Sequence, residues 1–180
     1  MIGALIIGCE IAFWIFVLSG LSARYIFGWK KAGGILLLCT PAIDLLLIVV
    51  TVIDLKNGAK AELVHGLAAI YIGVTIAFGH RMIKWADQRF AHRFAGGPKP
   101  ETRPKYGKNR AQWERQGWYR HLLAWVLGAL LLVGMVMIVG DASRTKELER
   151  IAFGWAGVVV IDFVISFSYT LWPKKEAREG

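Results

Sequence analysis

Residues 36–50 read LLLCTPAIDLLLIVV, an apolar run that carries a carboxylate, Asp44, with Leu, Ile and Val on both sides. Extended back to Gly34 and on to Ile53, the run is about 20 residues long, enough to cross a bilayer core of roughly 30 Å. A helix is the only single-segment structure that satisfies its own backbone polar groups in lipid. The stretch therefore reads as a membrane-spanning helix with an acid near its middle.

The same reading extends to the rest of the chain. Hydrophobic residues make up 56% of the 180, and mean hydropathy is +0.46, too apolar for an ordinary soluble domain. The apolar residues come in blocks rather than at amphipathic spacing. Five spans follow, at about 2–22, 34–53, 63–80, 121–140 and 152–172. The expected fold is all-α, a single polytopic five-helix bundle without a soluble domain or internal repeat. The first span has no basic residue before it and is followed by Arg24, Lys30 and Lys31. That pattern suits an uncleaved helix better than a signal peptide.

Basic residues set the expected orientation. Of the 22 Lys and Arg residues, 17 fall in segments 23–33, 81–120 and 173–180, and the other five in 54–62 and 141–151. Positive charge collects on the cytoplasmic side, so the N-terminus is expected outside and the C-terminus in the cytoplasm. The net charge of +9 is thus largely a topology signal. The cytoplasmic loop, about 81–120, mixes basic and aromatic residues in a way that could suit nucleic acid. Membrane loops share that composition and attract anionic headgroups, so lipid is the expected partner and nucleic acid is not. Within the loop, RMIKWADQRFAHRF (81–94) either continues the third helix or lies along the interface. AQWERQGWYRH (111–121) reads as a helical approach to the fourth span, with Trp118 and Tyr119 at headgroup level.

Small residues mark where helices approach one another. Ala69, Gly73 and Ala77 form one small-xxx-small stripe, and Ala124 with Gly128 a shorter one. Pro41 cannot donate a backbone hydrogen bond and is expected to kink the second helix just before Asp44.

All but three of the 13 acidic residues fall in loops or at span edges. The exceptions are Glu10, Asp44 and Asp162, at depths of roughly 12, 14 and 15 Å from the outer ends of their helices by helical rise. Intramembrane acids normally face the bundle interior. Three without a Lys or Arg partner cannot all stay ionised and unpaired. They are either protonated and hydrogen-bonded or neutralised by a cation. Thr40 and Thr51 share the face of Asp44, Asp162, Ser166 and Tyr169 form a stripe on the fifth helix, and Tyr71 reaches the same depth on the third. Asp54 and His65 sit at the outer end as a candidate entrance. The expected site is therefore a proton or cation site of Glu10, Asp44, Asp162, Tyr71 and Thr51, with packing glue as the plainer alternative.

Other chemistry has fewer parts. Cys9 and Cys39 lie at depths too different for a disulfide, and Cys9 beside Glu10 could belong to a metal site or simply pack as a small hydrophobe. His80 and His121 fall at the inner ends of adjacent spans, where two imidazoles could hold a haem. There is no P-loop, CxxC, HExxH or G-x-S-x-G. The sequence thus names no cofactor and no metal.

The run HGLAAIYIGVTIAFGHRMIKWADQRFAHRFAGGP (65–98), with CEIAFW (9–14) before it and SYTLWP (168–173) near the end, resembles a group of small bacterial integral membrane proteins, actinobacterial in type and of no known activity. The resemblance implies a multi-pass protein of the bacterial plasma membrane and supplies no catalytic residues. The reading favoured by the acids is proton or cation binding in a small transporter or an accessory subunit, which leaves room for a homo-oligomer or a larger membrane complex. The alternative is an intramembrane enzyme. There Glu10, Asp44 or Asp162 would act as a general acid on a lipid or isoprenoid, chemistry similar to that of transmembrane terpene cyclases.

Overall fold

The computed structural model describes residues 2–94, 96–100 and 102–173, and the side chains of all of these except 2–6, 10 and 94. Its helices are α1 (Ile2–Tyr25), α2 (Lys30–Lys56), α3 (Leu63–Phe94), α4 (Gly107–Val139) and α5 (Ala142–Leu171). Each contains a segment long and apolar enough to cross a membrane. No strand occurs among the described residues. Large apolar side chains point outward along the helices, as with Ile11, Ile15 and Leu18 on α1 or Val158, Ile161 and Ile165 on α5. Such an exterior belongs against lipid tails.

The helices outrun the apolar blocks. Hydropathy marks only the part of a helix that lies in lipid, whereas backbone hydrogen bonding continues into polar residues. The segment 81–94 is therefore the continuation of α3, and α4 begins at Gly107, well before the apolar block at 121. The helices run up and down, which gives the bundle a loop end, where the long α3–α4 connection lies, and a far end. The helices α1 and α2 form one antiparallel pair and α4 and α5 another. α3 sits between the pairs, against α2 on one side and α4 on the other.

Glycine sets how close these helices come. A Cβ on Gly33 would stand 2.7 Å from the Gly20 carbonyl oxygen, so α1 and α2 cross there backbone to backbone. A Cβ on Gly73 would collide with the Ala124 carbonyl, and one on Gly128 would come within 3.1 Å of the Ala69 carbonyl. The two small-residue stripes therefore meet each other and form the α3–α4 seam. The core divides along the same lines. Cys9, Leu47, Val50 and Ala68 pack between α1, α2 and α3. Leu55, Ala69, Leu132, Met135, Leu148 and Ile151 pack between α2, α3, α4 and α5.

Two arginines tie the ends. At the loop end, Arg24 of α1 donates to both carboxylate oxygens of Asp87 on α3, at 3.1 and 2.7 Å. At the far end, the Arg144 guanidinium donates to the carbonyls of Leu55 and Lys56, both at 3.2 Å, and so covers the last turn of α2. The Arg144 carbonyl in turn accepts the Ala61 N–H at 2.7 Å. Arg144 is held by Asp141 at 3.0 Å, the residue that also caps α5 by accepting the Ser143 N–H at 2.9 Å. The Ser143 hydroxyl, followed by its backbone N–H and Arg144, holds the Asp141 carboxyl below the usual carboxylate range.

α2 passes through Pro41 as one helix. Proline there leaves the Leu37 carbonyl without its i+4 donor. The Thr40 hydroxyl donates to that carbonyl at 2.8 Å, replacing the missing bond from the adjacent position. Thr40→Val should therefore cost about 0.5–1.5 kcal/mol in the native chain. The same change in a Pro41→Ala background should cost little, because the backbone bond is restored. A thermal-melt double-mutant cycle in detergent checks this, and equal costs in both backgrounds would refute the repair.

Candidate functional site

Three turns of α2 put Thr40, Asp44 and Thr51 on one face, and all three are buried, with exposures of 6%, 1% and 0%. Asp44 Oδ2 and Thr51 Oγ1 are both shut off from the surface without a hydrogen-bond partner among the described residues. The walls near them are apolar: Leu47, one turn beyond Asp44, packs against Cys9 of α1 and Ala68 of α3. A buried carboxylate among such groups has to be protonated or matched by a cation, because an unpaired charge there is costly. Tyr71 is on α3, its ring stacked at 5.0 Å on Phe13 of α1. Glu10 lies in α1 next to Cys9, and its side chain is outside the described residues. Cys9 itself packs as a small hydrophobe.

Asp162 has a different setting. It faces α4, where His121 Nδ1 lies 2.9 Å from Oδ2, while the Ser166 hydroxyl donates to Oδ1 at 3.2 Å. The Trp155 indole N–H donates to His121 Nε2 at 3.1 Å. Indole can only donate, so Nε2 is the acceptor and the imidazole proton sits on Nδ1, pointing at Asp162. Two further indoles on α4 extend the seam. Trp118 donates to the Val159 carbonyl at 3.1 Å and Trp125 to the Ala152 carbonyl at 3.0 Å. Donors seven residues apart on α4 thus meet acceptors seven apart on α5, with the histidine relay between them.

These placements change several expectations. The structure brings Asp162 to His121, not to Asp44. Asp162 has no Lys or Arg partner among the described residues, and the hydrogen bond its Oδ2 takes comes from the His121 imidazole instead. His121 is not at a helix end, since α4 begins at Gly107. Its Nε2 lone pair is taken by Trp155 and its Nδ1 proton by Asp162, which leaves no ring nitrogen to ligate a haem, and His80 is exposed on α3. Trp118 is turned onto α5, and Tyr119 alone of that pair is exposed, at 55%. At the far end, His65 is buried and its Nδ1 accepts the Glu62 N–H at 2.8 Å, closing the first turn of α3. That bond leaves the proton on Nε2, which faces Asp54 Oδ2 at 3.9 Å. Among the described residues, no three His, Cys, Asp or Glu side chains gather as a metal site.

The chain is 45% identical over 173 residues to the uncharacterized membrane protein YmcC of Bacillus subtilis (strain 168), across 96% of this chain and 92% of that one. It belongs to the YmcC family. No family model and no solved structure matches the chain. Membership agrees with the five spanning helices in making this a multi-pass bacterial membrane protein. The likeness reaches Bacillus, and the actinobacterial leaning of the sequence resemblance has no counterpart in it. The relative's name speaks of membrane residence and not of chemistry, so the chemistry has to come from geometry.

Proposed function

We propose that this YmcC-family protein binds a proton or small cation at Asp44, within the α1–α2–α3 half of the bundle, as a small transporter or an accessory subunit of a membrane complex. The observation that carries the reading is the burial of Asp44 at 1% exposure with Oδ2 unpartnered among the described residues. Thr51, two turns on along the same face, is a second buried oxygen without a partner among the described residues, and Tyr71 and Glu10 belong to the neighbouring helices α3 and α1. Asp54 and His65, which face each other at the far end, are the proposed entrance. Asp162 forms a second polar centre with His121. The general-acid alternative needs room for a substrate beside the acid. The clefts of about 400 and 230 Å³ on the α4–α5 flank are not lined by Asp44.

Thermal melts of purified Asp44→Asn test the reading. The wild type should melt lower at alkaline pH, where a buried carboxyl has to give up its proton, than at acid pH, and an added cation should restore it. The Asn variant should be about as stable as the wild type at its best and insensitive to both. If the variant instead loses about 1–3 kcal/mol, the worth of a buried hydrogen bond or two, with no pH or cation response in either protein, Asp44 is a packing residue.

The proposed orientation places the loop end in the cytoplasm, where Arg81 lies 3.9 Å over the Trp113 ring and Arg89 4.2 Å over Trp85, a basic-aromatic rim suited to anionic headgroups. With Cys9 and Cys39 replaced by Ala, Lys146→Cys should react with an impermeant thiol reagent on intact cells and Lys105→Cys should not. The opposite result inverts the orientation.

A further inference from the structure

At the far end, the bias that depletes basic residues leaves five Lys and Arg residues, and four of them, Lys60, Arg144, Lys146 and Arg150, line a single cleft of about 400 Å³. Glu147 and Glu149 line it too, so cations outnumber acids. Arg144 is committed to Asp141 and to the end of α2, and Arg150 faces Glu147 at 3.6 Å. Lys60 and Lys146 carry no ion pair among the described residues, which leaves two ammonium groups for something outside the chain.

A second groove adjoins this cleft. Glu149 and Phe153 line both the cleft and this groove of about 230 Å³, whose other walls include Trp125, Ala129, Val133 and Val136 of α4. From Trp125 to Val136 the wall is about 16 Å long by helical rise, roughly one leaflet of a 30 Å bilayer core. A charged mouth sits at the end of the spanning segments and an apolar trough runs from it toward the midplane. A soluble anion would use only the mouth and a detergent-like hydrocarbon only the trough.

We propose that this cleft and groove form a binding site for one anionic phospholipid, its phosphate between Lys60 and Lys146 and one acyl chain in the α4–α5 groove. Native mass spectrometry of the detergent-purified protein with equimolar phosphatidylglycerol and phosphatidylcholine tests it. Phosphatidylglycerol should be retained preferentially, and Lys60→Gln with Lys146→Gln should cut that preference by about 25-fold, since each surface cation contributes on the order of a fivefold attraction. Lys99→Gln with Lys105→Gln, at the loop end, should leave it unchanged. Ala129→Trp, which fills the groove, should lower retention of both lipids. The proposal is overturned if the wild type shows no preference, or if both lysine pairs act alike. It also fails if soluble glycerol phosphate competes as well as the lipid does, which makes the site one for free phosphate esters. A third contrary result is an Ala129→Trp variant that changes the oligomeric state, which makes the groove an interface between copies.

Discussion

Gly73→Ala should destabilise the bundle by about 2–3 kcal/mol, toward the upper range for an overpacked core. The added methyl would meet the Ala124 carbonyl and stand 3.2 Å from the Gly128 nitrogen, both of them backbone. A side chain can swing aside, but a helix backbone has to move as a whole, so α3 and α4 would be levered apart along the seam. Gly134→Ala is the matched control: nothing lies within 4 Å of its added methyl. There the loss of glycine's freedom in a helix should stabilise by up to about 0.5–1 kcal/mol. Melting both variants in the same detergent checks the contrast in sign. Two equal shifts would mean that the seam is looser than the distances say.

His121→Leu should cost about 1–3 kcal/mol, because it strands two groups at once. Trp155 loses its acceptor and Asp162 loses the imidazole donor that neighbours it in the α4–α5 seam. Adding Asp162→Leu should return part of the loss, since removing both partners of a buried hydrogen bond is gentler than stranding one. A double mutant as unstable as the sum of the singles would show that the two side chains are not coupled.

The five helices and their order were legible because membrane thickness makes one strong demand, about 20 apolar residues per crossing. The α3–α4 seam was legible because Ala69, Gly73, Ala124 and Gly128 repeat at one helical face. The burial of Thr40, Asp44 and Thr51 together followed from their spacing. Hydropathy could not show where helices end outside lipid, and that hid the partner of Asp162. Starting the fourth span at His121 put this residue at a helix tip, whereas α4 begins at Gly107. A signal was present: the turn at Gly140 and Asp141 is so short that it fixes the antiparallel register. His121 and Asp162 lie about 20 residues to either side of it, at roughly equal distances along their helices. Which way each side chain points across that register was not written in any spacing, and the Trp155 indole that settles the histidine tautomer was not legible at all.

The two arginine ties have a mechanical consequence. Arg24 fastens the tip of α1 to Asp87 on α3 at one end, and Arg144 fastens the tip of α2 to α5 at the other. The first hairpin is therefore moored at bow and stern, and it can neither swing out like a door nor slide past α3 without slipping a mooring. With both ropes fast, the remaining freedom is for the hull to flex amidships. There α2 has already given up one backbone bond at Pro41, and a single hydroxyl holds the plank in place.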